Sequence, residues 1–546
     1  MEGLIQCSAN PVPLTPISFL KRAAIVHGDK TSIVYGSTFK CSWGQTYQTC
    51  VRLASALHRL NISRGDIVAA LAPNVPAMYE LHFGVPMAGA ILSALNVSLD
   101  AQTLAILLKQ LDPKIIFVDH TSIRLLLKAT QLDPHFHENP KPLLVAIHEL
   151  DPPTPSSNLN LPAGFLDYGT LLESGDSNFE IIWPDNECDP ISVNFTSGST
   201  GIPKAAVYSH RAAYLNSIGM IFLSEIVKPP VFLWTVDMFR CNGWCFPWAM
   251  AALGGTNICL RENYTSTPET ILDLIVRHKV TLLCGKPMIL NLLAGAANPE
   301  PLPCQVDVFV SGPLPPVHVI MRVKDMGFNV KVGYGMTEAL GPAIMKPWSP
   351  ENGFASPTLG LDIDVKEPIT MRSVPSDGTT VGEVMLRGNT LMTGYLSNPQ
   401  GTERAFNGGW YNTRDIGVRL PSGHIQLKDR AVDIITSGPN RFVSSLEVEE
   451  VLACHPEVVE AAVVGVSDEE SGGQVPCAFL KVRNGSDVKE EHIIEFCTAR
   501  LPSQMVPRIV WFGDLPMNST GKIQKYVLRQ RVNAMGSSQM NCNAKY

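Results

Sequence analysis

Apolar and β-branched residues recur along the chain in short runs bounded by turn residues. Residues 32–35, 67–71 and 114–118 read as strands, and between them lie segments with helical spacing such as 51–60. The rhythm resumes at 191–195, 280–284 and 306–310, where each run leads into a glycine-bearing turn. Alternation of this kind predicts an α/β fold, in which ligands gather at the C-terminal ends of strands. The Pro-rich polar stretch from about 134 to 162 predicts a surface excursion without a core of its own. Beyond Arg430 the pattern becomes a compact unit: a Glu-rich helix over 446–454, strands over 460–466 and 477–482, and a helix over 490–501. We therefore expect a large N-terminal domain, 1–430, and a small C-terminal lid, 431–546.

The chain has 546 residues, too many for one ordinary domain. Apolar residues at 45% against 17% charged place it among globular enzymes rather than disordered or fibrous chains. A net charge of -7 with no basic stripe argues against nucleic acid and anionic lipid as partners. The 13 cysteines form no C-x-x-C pair, so reduced thiols are expected rather than a metal or disulfide framework. Residues 241–260 approach membrane-spanning length without charge, but Asn242, Pro247, Asn257 and three glycines predict a buried pocket wall and no membrane span. The first residues carry neither a signal peptide nor a transit peptide, and the end, Ala544-Lys545-Tyr546, is not a peroxisomal tripeptide; the expectation is a cytosolic protein. Six Asn-x-Ser/Thr triplets, at Asn61, Asn96, Asn194, Asn263, Asn484 and Asn518, are expected to be chance.

Two segments carry chemistry. In Phe195-Thr196-Ser197-Gly198-Ser199-Thr200-Gly201-Ile202-Pro203-Lys204 a strand enters a loop of hydroxyls and glycines closed by a lysine. Gly198 and Gly201 admit the backbone to oxyanions, Ser and Thr hydroxyls donate to them, and Lys204 adds a positive charge. The spacing is not that of a P-loop, and alone the segment is also an ordinary polar turn. Gly333-Tyr334-Gly335-Met336-Thr337-Glu338 follows a strand-like run and departs from G-x-G-x-x-G at Glu338. A carboxylate beside a glycine turn and a threonine suits magnesium near a phosphate chain, and Tyr334 offers a ring face to a purine.

Together with Val12 to Leu20, Ala72 to Met78, Cys241-Asn242-Gly243-Trp244-Cys245 and Asn518 to Lys525, these motifs resemble the acyl- and aryl-CoA synthetases of the adenylate-forming superfamily. Among them the plant acyl-activating enzymes are the most similar, and the resemblance covers nearly the whole chain.

The resemblance implies that Thr196, Ser197, Gly198, Ser199, Thr200, Gly201 and Lys204 wrap the ATP phosphates, with Thr200 and Glu338 holding Mg2+. It implies that Gly312, Pro313 and Leu314 sandwich adenine with Gly333, Tyr334, Gly335, Met336 and Thr337. Asp415 and Arg430 would bind ribose, and Lys522 would bridge the α-phosphate and the substrate carboxylate. Trp234, Phe239, Arg240, Asn242, Gly243, Trp244, Ser311 and Met336 would line the acid pocket, and Gly438, Pro439 and Asn440 the entrance for coenzyme A. Lys522, Glu338 and Thr200 would be the catalytic set, the small domain swinging about a hinge near Arg430 between acyl-AMP formation and transfer to CoA. The acid is expected to be short- or medium-chain, branched or aromatic.

The chain departs from the family in several places, one of them the region from Lys346 to Leu359, which looks shorter than in relatives. Ala205 stands for the glycine after Lys204, Arg414 for the glycine of Thr-Gly-Asp, Arg240 for a histidine at the pocket mouth and Val432 for a charged hinge residue. Gly438 to Val443 replaces a Gly-Gly-Glu-Asn loop. On the sequence, a non-CoA acceptor such as an amine, or a nucleotide-binding relative with little turnover, stays open beside the CoA ligase.

Overall fold

The computed structural model describes residues 9–133, 136, 141–151, 162–196, 203–261, 266–297, 301–312, 314–349, 357, 359–438, 442–468, 473–517 and 523–540, and the statements below concern those residues. The predicted strands form. Ile67–Leu71 and Ile115–Asp119 pair in parallel, and every residue of Ile115–Asp119 is buried. A strand covered on both faces reads as a continuous apolar run, which is why the sequence exposes it.

Two eight-stranded, mainly parallel sheets make up most of the N-terminal part. One runs in the order Gly341–Pro347, Phe328–Met336, Val306–Ser311, Leu282–Gly285, Val231–Leu233, Thr256–Cys259, Thr31–Tyr35 and Phe39–Ser42. The other runs Gly394–Tyr395, Ala205–Ser209, Pro190–Phe195, Ile91–Ala94, Ile67–Leu71, Ile115–Asp119, Leu143–Ile147 and Phe165–Asp167. Leu143–Ile147 lies inside the stretch expected to be a surface excursion. It is a parallel strand between Ile115–Asp119 and Phe165–Asp167, with Val145 and Ala146 fully buried. Flanking prolines hid a five-residue apolar run that the sheet needs.

The helices are set by local signals. Trp43–Arg59 starts at a capping box, the Gln45 N–H donating to Ser42 Oγ and the Ser42 N–H to Gln45 Oε1. Its apolar face packs on helix Pro76–Met87, which is buried along its whole length. The core joins both sheets through Trp43, Trp234, Trp248, Tyr79 and Phe246, all under 2% exposed. An ion-pair network ties the same sheets: Arg261 reaches Asp119 at 2.9 Å and Glu149 at 2.8 Å, and the Tyr35 hydroxyl donates to Glu149.

A five-stranded antiparallel sheet follows, built on Leu361–Lys366, Val381–Gly388, Trp410–Arg419 and Ile425–Arg430. After Arg430 come a two-stranded and a three-stranded sheet, the latter of Val458–Asp468, Gly473–Val482 and Ile509–Phe512, with helices Ser445–Ala453, Glu490–Thr498 and Lys525–Met540. No helix among the described residues is long and apolar enough to cross a membrane. Residues 241–260 form a turn, helix Phe246–Leu253 and strand Thr256–Cys259, with the helix largely buried.

Candidate active site

The neck of the hydroxyl-rich loop is fixed by two hydrogen bonds between Thr196 and Lys204. The Thr196 N–H donates to the Lys204 carbonyl at 2.9 Å and the Lys204 N–H to Thr196 Oγ1 at 3.1 Å. Ser197, Gly198, Ser199, Thr200 and Gly201 lie outside the described residues. Ala205 is buried in an ordinary extended strand paired with Phe195, so a methyl group in the glycine position meets no backbone penalty. The Lys204 ammonium lies over the Tyr395 ring, 4.9 Å from its centroid.

Glu338 sits in a single 3-10 turn, Thr337–Ala339, at the end of strand Phe328–Met336. Leu340 at φ 57° and Gly341 at φ 109° then reverse the chain into the neighbouring strand. A Cβ on Gly335 would come within 2.1 Å of the Gly341 carbonyl, so only glycine allows this approach. Asn216, on helix His210–Leu223, donates to the Leu340 carbonyl at 2.8 Å and Tyr208, on a strand of the other sheet, to the Thr337 carbonyl at 2.6 Å, which together hold the turn. The Tyr395 hydroxyl donates to Glu338 Oε1 at 2.8 Å. Among the described residues no group of three His, Cys, Asp or Glu gathers as a metal cage. A half-exposed single carboxylate fits Mg2+, which is held by one or two carboxylates together with substrate phosphates.

Asp415 and Arg430 face each other across an antiparallel ladder, Arg430 Nε 3.7 Å from Asp415 Oδ1. Tyr334 donates its hydroxyl to Asp415 Oδ2 at 2.7 Å, which joins the glycine turn to this pair. Burial, then the Asp415 charge, pushes the Tyr334 pKa upward, so the phenol stays a donor. Gly333 pairs with Ser311, and Gly312 follows at φ 127° with Leu314 exposed beyond it; Pro313 lies outside the described residues. Arg414 takes the glycine position at φ 60° with its side chain exposed, while Asp415 meets Arg430 and Tyr334.

The apolar motif adopts an unusual backbone. Cys241, Asn242, Gly243, Trp244 and Cys245 all have φ between 42° and 65°, a left-handed turn in which four residues carry side chains. Such residues cost roughly 1–2 kcal/mol each. Buried polar contacts hold the turn: the Asn242 N–H donates to Asn194 Oδ1 at 2.6 Å, and Ser192 Oγ donates to Asn242 Oδ1 at 2.8 Å. Trp244 packs beside Gly341, and Gly243 lies against Trp234, whose ring a Cβ would meet at 2.8 Å. Trp234 is fully buried and donates to Asn257, so it forms the floor beneath the turn. Asn74 fixes the adjoining segment, donating to the Trp234 and Val236 carbonyls and accepting the Met238 N–H. Arg240 reaches Asp237 at 3.4 Å and stacks on Phe239. Cys241 Sγ lies 3.7 Å from Thr337 Oγ1, which brings this motif to the Glu338 turn together with Met336.

In the C-terminal part Lys522 lies outside the described residues, but its flanks are anchored. Met517 bridges Ile523, and Lys525 pairs with Glu449 at 2.8 Å and donates to Ser445. Gly438 has φ 137° with open space where a Cβ would stand, Val432 is 54% exposed, and Pro439 and Asn440 are outside the described residues.

The profile of AMP-binding enzymes matches residues 20–396, and that of the AMP-binding enzyme C-terminal domain matches residues 447–522. The chain belongs to the AMP-binding enzyme family. It is 45% identical to probable acyl-activating enzyme 21 of Arabidopsis thaliana, over 99% of each chain. It is 44% identical to 2-methylpropanoate–CoA ligase CCL4 of Humulus lupulus, over 98% of each. The butyrate–CoA ligase AAE11 of Arabidopsis thaliana, described as peroxisomal, is 43% identical over 98% of this chain and 96% of its own. In fold it is similar to the anthranilate CoA ligase AuaEII solved with anthranoyl-AMP, with a TM-score of 0.82 at 21% identity over 97% and 99% of the two chains.

Within this AMP-binding fold the sequence reading missed Tyr395, Tyr208 and Asn216, and took Asn194 only as a chance glycosylation triplet. Asn194 is 2% exposed and engaged with the Asn242 backbone, out of reach of any modifying enzyme in the folded chain. Gly394-Tyr395, between Thr393 and Leu396, was the available signal, but a two-residue strand has no periodicity to read.

Proposed function

We propose that this AMP-binding enzyme is an AMP-forming acid–CoA ligase acting on a small carboxylic acid, short- or medium-chain, branched or aromatic. Its similarity along nearly the whole chain to relatives named as CoA ligases for 2-methylpropanoate and butyrate supports that class. The observation that carries the reading is the convergence of the closed neck of the hydroxyl-rich loop, Lys204, Glu338 and the Tyr334–Asp415–Arg430 set on strands from three sheets.

In the first step a carboxylate oxygen attacks the α-phosphorus of ATP and pyrophosphate leaves. Thr196 to Lys204 hold the phosphates, Gly312 to Leu314 and Gly333 to Thr337 enclose adenine, and Asp415 with Arg430 takes the ribose hydroxyls. Glu338 and Thr200 would hold Mg2+, which would supply positive charge against the phosphates. Two anions must meet, and the Lys522 ammonium between them stabilises the charge that develops on the transferring phosphorus oxygens. In the second step the small domain, 431–546, turns about the segment after Arg430, the CoA thiolate attacks the acyl carbon and AMP leaves. Gly438, Pro439 and Asn440 are assigned to CoA binding, and the acid to the Phe239 to Trp244 turn. The free thiols among the described cysteines suit a reducing compartment, read here as the cytosol.

The test is pyrophosphate release measured across straight, branched and aromatic acids, with and without CoA, with acyl-CoA quantified by mass. Acid-dependent release accompanied by acyl-CoA supports the reading. Release that never yields acyl-CoA moves the acceptor to another nucleophile such as an amine, and ATP binding without release for any acid removes the ligase reading.

A further inference from the structure

Lys204 and Glu338 are the described cation and carboxylate of the proposed phosphate site, and one side chain touches both. The Tyr395 ring lies under the Lys204 ammonium at 4.9 Å, and its hydroxyl donates to Glu338 Oε1 at 2.8 Å. We infer that Tyr395 is a positioning residue that keeps these opposite charges from neutralising each other, its face holding Lys204 for the phosphates and its hydroxyl orienting Glu338 for the metal.

The backbone makes Tyr395 rigid enough for this task. It pairs with Ala206 in the strand that begins immediately after Lys204, the Leu396 N–H donates to the Ala205 carbonyl, and its own N–H donates to Thr402 Oγ1 at 2.9 Å. A Cβ on Gly394 would press on Thr402 at 2.9 Å, so the preceding residue leaves room for that brace. From the opposite side the Met392 N–H donates to the Glu338 carbonyl at 2.8 Å, so ring and carboxylate belong to one braced unit. A ring face attracts an ammonium without taking up its charge, whereas a direct ion pair would have to be broken each time Mg2+ and ATP enter. With Oε1 occupied by the phenol, Glu338 keeps its second oxygen as a ligand of fixed direction.

The inference rests on the proposed function, and two variants separate its parts. Tyr395→Phe keeps the ring and loses the hydroxyl. The Mg2+ concentration for half-maximal pyrophosphate release is expected to rise about tenfold, the loss of one hydrogen bond to a charged group. ATP affinity by calorimetry in EDTA and the acid KM are expected to stay at parent values. Tyr395→Leu loses both contacts and lets Lys204 pair with Glu338, so ATP affinity in EDTA falls as well. Adding Glu338→Gln to Tyr395→Leu should restore that affinity to the value of Glu338→Gln alone. A Phe variant with the parent Mg2+ midpoint overturns the inference, as does one that loses rate equally at all Mg2+ concentrations with a lowered melting temperature. If the parent itself fails to bind ATP or release pyrophosphate, it is the ligase reading that fails.

Discussion

The left-handed turn from Cys241 to Cys245 offers the sharpest test of how the proposed acid pocket is held, through the variant Asn194→Ala. Four residues with side chains sit at positive φ, a conformational cost of roughly 4–8 kcal/mol if each carries the usual penalty. The Asn194 carboxamide, 2% exposed, accepts the Asn242 N–H at 2.6 Å from the strand beside the turn. Alanine leaves that buried N–H unpaired, a loss of about 1–3 kcal/mol, and removes one of the contacts that keep the turn from relaxing. Ser192→Ala removes only the donor to the Asn242 side chain, and about 1 kcal/mol is expected there. Calorimetric melting reads the stability change, a shift of a few degrees for a chain of this size. Pyrophosphate release with acid and ATP varied separately reads the site: the acid KM should rise about tenfold with the ATP KM unchanged, as for lost substrate binding alone. Asn194→Ala with the parent's melting temperature and acid KM would refute the claim that this amide holds the turn.

Lys522→Ala is expected to lower adenylation by about 100-fold or more, as for loss of one charge-stabilising group, with an unchanged melting temperature. Glu80 is fully buried and its pKa is pushed up to about 7 by desolvation, against the opposing hydrogen bond from Tyr168. The folded chain therefore binds this proton more tightly than the unfolded one; the associated stability, of order 3 kcal/mol, is complete below pH of about 4.5 and lost as pH rises towards about 7. Glu80→Gln should flatten that part of a melting-temperature profile against pH. Arg414→Gly should stabilise the chain by about 0.5–1 kcal/mol because φ 60° suits glycine, while Arg414→Ala gives no gain in the same melting assay.

The parallel strands were legible because burial on both faces makes them uninterrupted apolar runs, and the small C-terminal α/β part was legible from its own alternation of helix and strand. The strand running into a turn at Gly333 to Glu338 was legible from an apolar run followed by glycines, and at Thr196 and Lys204 the two ends of the loop meet. What the sequence hid was long-range. Tyr395 reaches Glu338 across 57 positions through a two-residue strand, and Asn194 meets Asn242 across 48. The left-handed turn was invisible because Cys, Asn and Trp carry no local signal for positive φ comparable to glycine's. Leu143–Ile147 was hidden by the composition on either side of it, and Trp234, expected at the pocket wall, is enclosed beneath Gly243.

The central claim is that an acyl-adenylate forms at the Lys204–Glu338 site before any thiol takes part. Exchange of labelled pyrophosphate into ATP, run with Mg2+ and acid but without CoA, measures that step alone. The account predicts exchange that starts only when a suitable acid is added and collapses in Glu338→Gln; exchange that is indifferent to Glu338, or absent with every acid while ATP still binds, would contradict it.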